Sequence, residues 1–155
     1  MSDDRKRMFR SWPEGYQVLQ KLNQVVAASS LEHSLLELVK MRTSQINGCA
    51  FCLDMHSKDA RAAGETEQRL YALSAWREAP FFSDRERAAL ALTEAVTLIA
   101  ANHVPDAVLE DAAEHFTPDE LSPLVFAIIE INCWNRLAIT TGAPEPGSYR
   151  LDAPE

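Results

Sequence analysis

The stretch that decides the fold runs Glu37-Leu38-Val39-Lys40-Met41-Arg42-Thr43-Ser44-Gln45-Ile46-Asn47-Gly48-Cys49-Ala50-Phe51-Cys52-Leu53-Asp54-Met55-His56. Asn47-Gly48 is a helix stop, because both residues tolerate positive φ. Before it, Leu31, Leu35, Leu38 and Val39 keep a helical rhythm and predict a helix from Leu31 to Ile46. After it, a second helix is predicted from Cys49 to Ala63, ended by Gly64. On that second helix Cys49, Cys52 and His56 fall within an arc of roughly 60°, on one face of two turns. The cysteines occupy its first turn, where free N–H groups and the helix dipole favour an anion such as a thiolate. His56, four residues after Cys52, is placed to accept a thiol proton or to stabilise the thiolate. The Asn47-Gly48 turn folds the first helix back on the second and brings Glu37 towards His56. Three readings of these residues stay open: a redox dithiol with a proton-transfer partner, a zinc site of both cysteines with His56 and Glu37, or two small core residues.

Working outward, the punctuation stays helical. Pro13 opens a helix over Glu14–Ala28, and Ser29-Ser30-Leu31-Glu32 matches a capping box for the next. Thr66 caps a segment carrying Leu70, Tyr71, Leu73 and Trp76. Ser83-Asp84-Arg85-Glu86 and Thr117-Pro118-Asp119-Glu120 are further capping boxes, and a short helix after Pro105 fits between them. The last helix is predicted from Pro118 to Thr140, with Pro123 splitting or kinking it and Gly142 ending it. No alternation long enough for a strand is present. The expectation is an all-α single domain, residues 1–155, of about six or seven helices. Its core spans about 15–142, and 143–155 form an irregular C-terminal arm ordered by docking on a neighbour.

Composition narrows the function classes. The chain has 155 residues, 46% of them hydrophobic and 25% charged, which are the proportions of a globular protein. With 15 Lys and Arg against 23 Asp and Glu, its net charge is −8. An acidic chain without a basic block lacks the cations that nucleic acid and anionic membrane surfaces need. The apolar run Leu124–Ile129 ends at Glu130, far short of the roughly 20 residues of a membrane span. The charged start, MSDDRKRMFR, has no apolar stretch behind it, so no signal peptide is read there and a cytoplasmic location is expected. Three cysteines argue against a disulfide framework. Cys133, in an apolar helix, reads as a buried inert thiol. Trp76, Trp134, Phe81 and Phe82 read as core or subunit contacts.

The combination of Glu37, Cys49 twelve residues on, and Cys-x-x-Cys-x-x-x-His resembles the alkyl hydroperoxidase D family, within the carboxymuconolactone decarboxylase superfamily of small helical proteins. Leu73-Ser74-Ala75-Trp76-Arg77 and Asn132-Cys133-Trp134-Asn135-Arg136 share the likeness, which covers about Gly15 to Gly142. The resemblance implies thiol-dependent reduction of hydroperoxides. In it Cys52 attacks the peroxide and becomes a sulfenic acid. Cys49 supplies a proton to the leaving oxygen and then closes a Cys49–Cys52 disulfide. His56 and Glu37 form the proton relay. An external dithiol protein is the implied reductant, no metal, flavin or other cofactor is implied, and the implied assembly is a homo-oligomer, trimer or hexamer. Some members carry a second histidine immediately before the second cysteine; here Phe51 stands there, and His33 is a candidate substitute. The alternatives are a dithiol–disulfide reductase or adaptor serving a separate peroxidase, and a cofactor-free lactone decarboxylase-like enzyme.

Overall fold

The computed structural model describes residues 3–151, so the last four residues of the predicted arm lie outside the described residues. Nine α-helices and one 3₁₀ turn make up the described chain, with no strand among them. In order they are α1 (Asp3–Arg10), α2 (Pro13–Ala27), α3 (His33–Asn47), α4 (Ala50–Ala62), α5 (Glu67–Ala72), the 3₁₀ turn Leu73–Ala75, α6 (Asp84–Thr97), α7 (Ile99–Asn102), α8 (Asp106–His115) and α9 (Pro118–Thr141). None of them is long and apolar enough to cross a membrane.

Helix α3 organises the rest. Every residue from Leu35 to Met41 is buried, so it has no solvated face over two turns. Leu35, Leu36 and Val39 pack with Val26, Leu92, Phe116, Leu124 and Ile128 in one cluster. Leu38 and Met41 pack on its other side with Ala60, Leu70, Leu73, Trp76, Phe82 and Leu90. A helix buried all round must give each polar side chain a partner, because an unpaired buried charge costs several kcal/mol. That requirement falls on Glu37, Lys40 and Ser44, which find partners, while Thr43 Oγ1 is left without one.

Local signals set most helix starts. Thr66 Oγ1 accepts from Arg69 N–H, and Ser83 Oγ accepts from Glu86 N–H while Glu86 accepts in return from Ser83 N–H. Glu120 accepts from the Thr117 N–H at the head of α9. The box expected at Ser29 does not form. Helix α3 begins at His33, and the Glu32 carboxylate is taken by the Arg85 guanidinium instead. Pro123 neither splits nor breaks α9. Its missing N–H leaves only the carbonyl of exposed Asp119 without a helical partner, which water can satisfy.

Two helices exceed the expected number. The helix that starts at the Ser83 capping box is interrupted at Leu98, giving α6 and α7. Helix α1 has no apolar stripe and is held by tertiary contacts. Arg5 donates to the carbonyls of Ile139 and Thr140, two of the unpaired acceptors at the end of α9, and Phe9 packs edge-on against Tyr16. The arm after Gly142 docks on its own chain. Tyr149 donates to Asp59, Lys58 to the Tyr149 carbonyl, Gly147 N–H to Asp54, and Lys6 pairs with Glu145.

Candidate functional site

The α3–α4 turn fixes the site. Gly48 takes the left-handed conformation at φ 69° and closes α3. Asn47 donates to Asn132 and Asn135, and Asn135 donates to Ser44, so three asparagines clamp this turn to α9. Cys49 is then the N-cap of α4 and Cys52 its third residue. The two are joined as a disulfide, their Cα atoms 5.4 Å apart. Both are buried, at 1% and 2% exposed, but they border different spaces. Cys52 lines a cavity of about 420 Å³, while Cys49 lines a separate hollow of about 190 Å³ with Ile139, Pro144 and Pro146.

Glu37 and His56 meet inside the larger cavity. His56 Nδ1–H donates to Glu37 Oε2 at 2.9 Å, and both side chains are buried. Holding Nδ1–H on the carboxylate leaves Nε2 as the basic nitrogen of the ring. Lys40 Nζ lies 3.4 Å from the other Glu37 oxygen, and His33 Nε2 4.0 Å from it. Burial alone would push the Glu37 carboxyl up. The hydrogen bond and charge of His56, with Lys40 and His33, outweigh it and hold Glu37 below its ordinary value. The structure thus brings Cys49, Cys52, His56 and Glu37 together around one turn. His33 joins the rim, with a largely exposed side chain.

Several residues at the cavity, Phe9, Tyr16, Glu130 and Tyr149 among them, were not read from the sequence as part of the site. Phe9, Tyr16, Phe51 and Trp134 supply aromatic walls, and Tyr16 stacks edge-on against Trp134. Trp134, read from the sequence as a core or subunit contact, faces this space. Tyr149 closes one side from the C-terminal arm. Glu130 of α9 lines the same cavity and is 1% exposed. Its only sequence signal is a lone carboxylate inside an apolar run. Cys133 is exposed, contrary to expectation. Asn132 and Asn135 turn inward to the α3 clamp, and the helical twist carries Cys133 outward. Glu37, His56 and Asp59 place ligand atoms within 4.8 Å of one another, a set that could accept a cation. With the cysteines bonded to each other, they are not free to ligate zinc with His56 and Glu37, the reading left open by the sequence.

The family model described as carboxymuconolactone decarboxylase matches residues 13–95, from α2 through most of α6. The chain belongs to the carboxymuconolactone decarboxylase family. It is 46% identical to the uncharacterized protein YdfG of Bacillus subtilis over 130 residues, covering 84% of this chain and 88% of that one. It is 32% identical to the uncharacterized protein YnjA of Escherichia coli over 123 residues, covering 79% and 67%. Among solved structures it superposes on a protein of unknown function from Agrobacterium tumefaciens, a candidate antioxidant defence protein AhpD. The TM-score is 0.85 at 41% identity, covering 88% of this chain and 94% of that one. The chain is an AhpD-like family member, and its Cys49–Cys52 pair fits an antioxidant, peroxidase-related function.

Proposed function

We propose that the protein reduces organic hydroperoxides with Cys52 as nucleophile, Cys49 as resolving thiol and His56–Glu37 as the base system. The observation that carries this reading is the Cys49–Cys52 disulfide, whose Cys52 end shares one cavity with the buried His56–Glu37 pair. His56, its Nδ1–H fixed on Glu37, takes the Cys52 thiol proton on Nε2. The thiolate is favoured by its position in the first turn of α4. It attacks the terminal oxygen of ROOH, the O–O bond breaks, and Cys52 becomes a sulfenic acid as ROH leaves. Cys49 then displaces water from the sulfenic acid and closes the disulfide. An external dithiol protein restores both thiols by exchange. The aromatic walls favour a hydroperoxide with an apolar organic group over hydrogen peroxide.

The test is mass spectrometry of the reduced, metal-checked protein after one equivalent of tert-butyl hydroperoxide. The expected result is a Cys49–Cys52 disulfide within seconds, and its loss in Cys52→Ser. Thiols that stay reduced while exchanging rapidly with a disulfide reagent would replace this reading with that of a thiol-exchange adaptor.

A further inference from the structure

Glu130 is the carboxylate the fold has least reason to keep. It sits mid-way along α9, after Ala127, Ile128 and Ile129 and before Ile131. Among the described residues, its Oε2 and Thr43 Oγ1 are the buried side-chain oxygens without a hydrogen-bond partner. Three of its helix neighbours, Ala127, Ile128 and Ile131, are core residues at 0–1% exposure. An apolar side chain there would remove an expensive burial. What Glu130 adds is a carboxyl group on the wall of the cavity that Cys52 also lines. Burial pushes this carboxyl above its ordinary value, and the charges of Lys40 and His56, with the Trp134 side chain, pull it back without cancelling the shift. The shift favours the protonated form of Glu130, the form that can donate, whereas the Glu37 carboxyl is shifted the other way.

The proposed reaction has a use for such a donor. When a thiolate breaks the O–O bond of an alkyl hydroperoxide, the departing group is an alkoxide, a poor leaving group unless protonated. The family resemblance gives that proton to Cys49. Cys49, bonded to Cys52 in this structure, is one candidate donor; Glu130, which borders the cavity of Cys52 and has a buried Oε2 without a partner, is a second. We propose that Glu130 is the general acid of the site, passing the proton of its carboxyl to the alkoxide as Cys52 attacks. This inference rests on the hydroperoxidase reading.

The step balances. The Cys52 thiol gives its proton to His56. The thiolate takes the terminal OH of ROOH and is oxidised to the sulfenic acid. The RO⁻ so released takes the Glu130 proton and leaves as ROH. His56, still protonated, returns its proton to the Glu130 carboxylate through water, and both groups are reset. The net change is Cys52–SH plus ROOH giving Cys52–SOH plus ROH.

General acid catalysis acts only on leaving groups that need a proton, and this separates it from a packing role. The experiment is stopped-flow oxidation of the reduced protein, wild type and Glu130→Gln, by tert-butyl hydroperoxide and by peracetic acid. Peracetic acid expels acetate, which leaves unaided. The expected result is a loss of about 100-fold with the hydroperoxide and a change within about threefold with the peracid. Equal losses with both oxidants, or none with either, would overturn the role of Glu130 alone. A wild type that reacts with neither oxidant would overturn the hydroperoxidase reading and this inference with it. The wild type also tests the idea without any variant. Its preference for peracid over hydroperoxide should be smaller than that of free dithiothreitol thiolate by about the same 100-fold, and an identical preference would refute the proposal. Infrared spectra at neutral pH should contain the carbonyl stretch of a neutral carboxylic acid that Glu130→Gln lacks.

Discussion

Glu37→Gln keeps the size and shape of the side chain and removes its charge, which isolates what the charge does. In the native site that charge accepts the His56 Nδ1–H bond at 2.9 Å and faces Lys40 at 3.4 Å. A hydrogen bond to a charged group contributes about 1.5–3 kcal/mol. That bond is at full strength when His56 carries the second proton. Losing it removes the acceptor that fixes the ring with Nε2 free, worth one to two factors of ten in rate, since 1.36 kcal/mol is tenfold. The expected result at pH 7 is a fall of about 10- to 100-fold in the second-order rate of Cys52 with tert-butyl hydroperoxide. The deficit should shrink as pH rises, because hydroxide then makes the thiolate that His56 no longer can. Stopped-flow Trp fluorescence is a suitable signal, Trp134 being part of the cavity wall.

The same substitution deprives buried Lys40 of its carboxylate. Breaking one side of a buried pair costs about 3–5 kcal/mol, so the urea midpoint of the reduced protein should fall as well. The two effects are separable: a packing defect lowers the rate equally at every pH, whereas loss of the base system lowers it most at low pH. A rate within about twofold of wild type across the pH range would refute the assignment of Glu37 and His56 as the base.

Other perturbations test the frame around the site. Gly48→Ala should lower stability by about 1–2 kcal/mol, because a Cβ there meets no atom within 4 Å and the whole cost is the φ of 69°. Gly48→Asn should cost less, and equal urea midpoints for all three would show that the turn is not constrained. Glu94 accepts from Arg42 and from Trp76 Nε1, both at 2.8 Å, and pairs with Arg77. Its carboxyl is held low, burial being outweighed by these partners. Its stabilisation is therefore present above the ordinary carboxylate range and lost as pH falls through its folded value. Glu94→Gln should cost about 2 kcal/mol at pH 7 and little at pH 3, read from urea unfolding. Glu130 has the opposite sign. Its folded value is raised by burial, so its contribution is fully present at acid pH and is lost as pH rises. Glu130→Gln should therefore match wild type near pH 3 and gain on it towards neutrality; a constant difference across that range would contradict a neutral buried carboxyl.

What the sequence disclosed follows from how far each interaction reaches. The starts at Thr66, Ser83 and Thr117 are made by side chains three residues from the N–H groups they bond, so a short window contains the whole cause. Ser29 and Glu32 present the same window, but Arg85 lies 53 residues away and takes Glu32 out of the local box. Helix α1 depends on the end of α9, more than 130 residues on, and nothing in its own polar pattern announces it. The meeting of Glu37 with His56 was legible because one tight turn separates their helices. Glu130 reaches the same cavity from α9, and only the tertiary packing makes it a neighbour. The arm after Gly142 reads as irregular from its prolines, and it is, but Asp54 and Asp59 of α4 decide where it lies.

Which of the two bonded sulfur atoms the reductant attacks gives the proposed cycle its direction. Both are buried, so neither is offered to solvent, and each is approached through its own space. The Cys52 space is walled by aromatic rings and closed on one side by Tyr149, a lining suited to the organic group of a peroxide. In the proposed cycle a protein dithiol attacks Cys49. Attack there expels Cys52 as the leaving thiolate, into the first turn of α4 and beside His56, where a thiolate is best stabilised. A better stabilised thiolate leaves faster, so reduction through Cys49 is the faster of the two exchanges. It also returns Cys52 in the ionised form that the next hydroperoxide requires. Attack on Cys52 would instead leave the reductant bonded inside the peroxide cavity and release Cys49 on the wrong side. The order of the proposed cycle thus follows from which thiolate is the better stabilised leaving group.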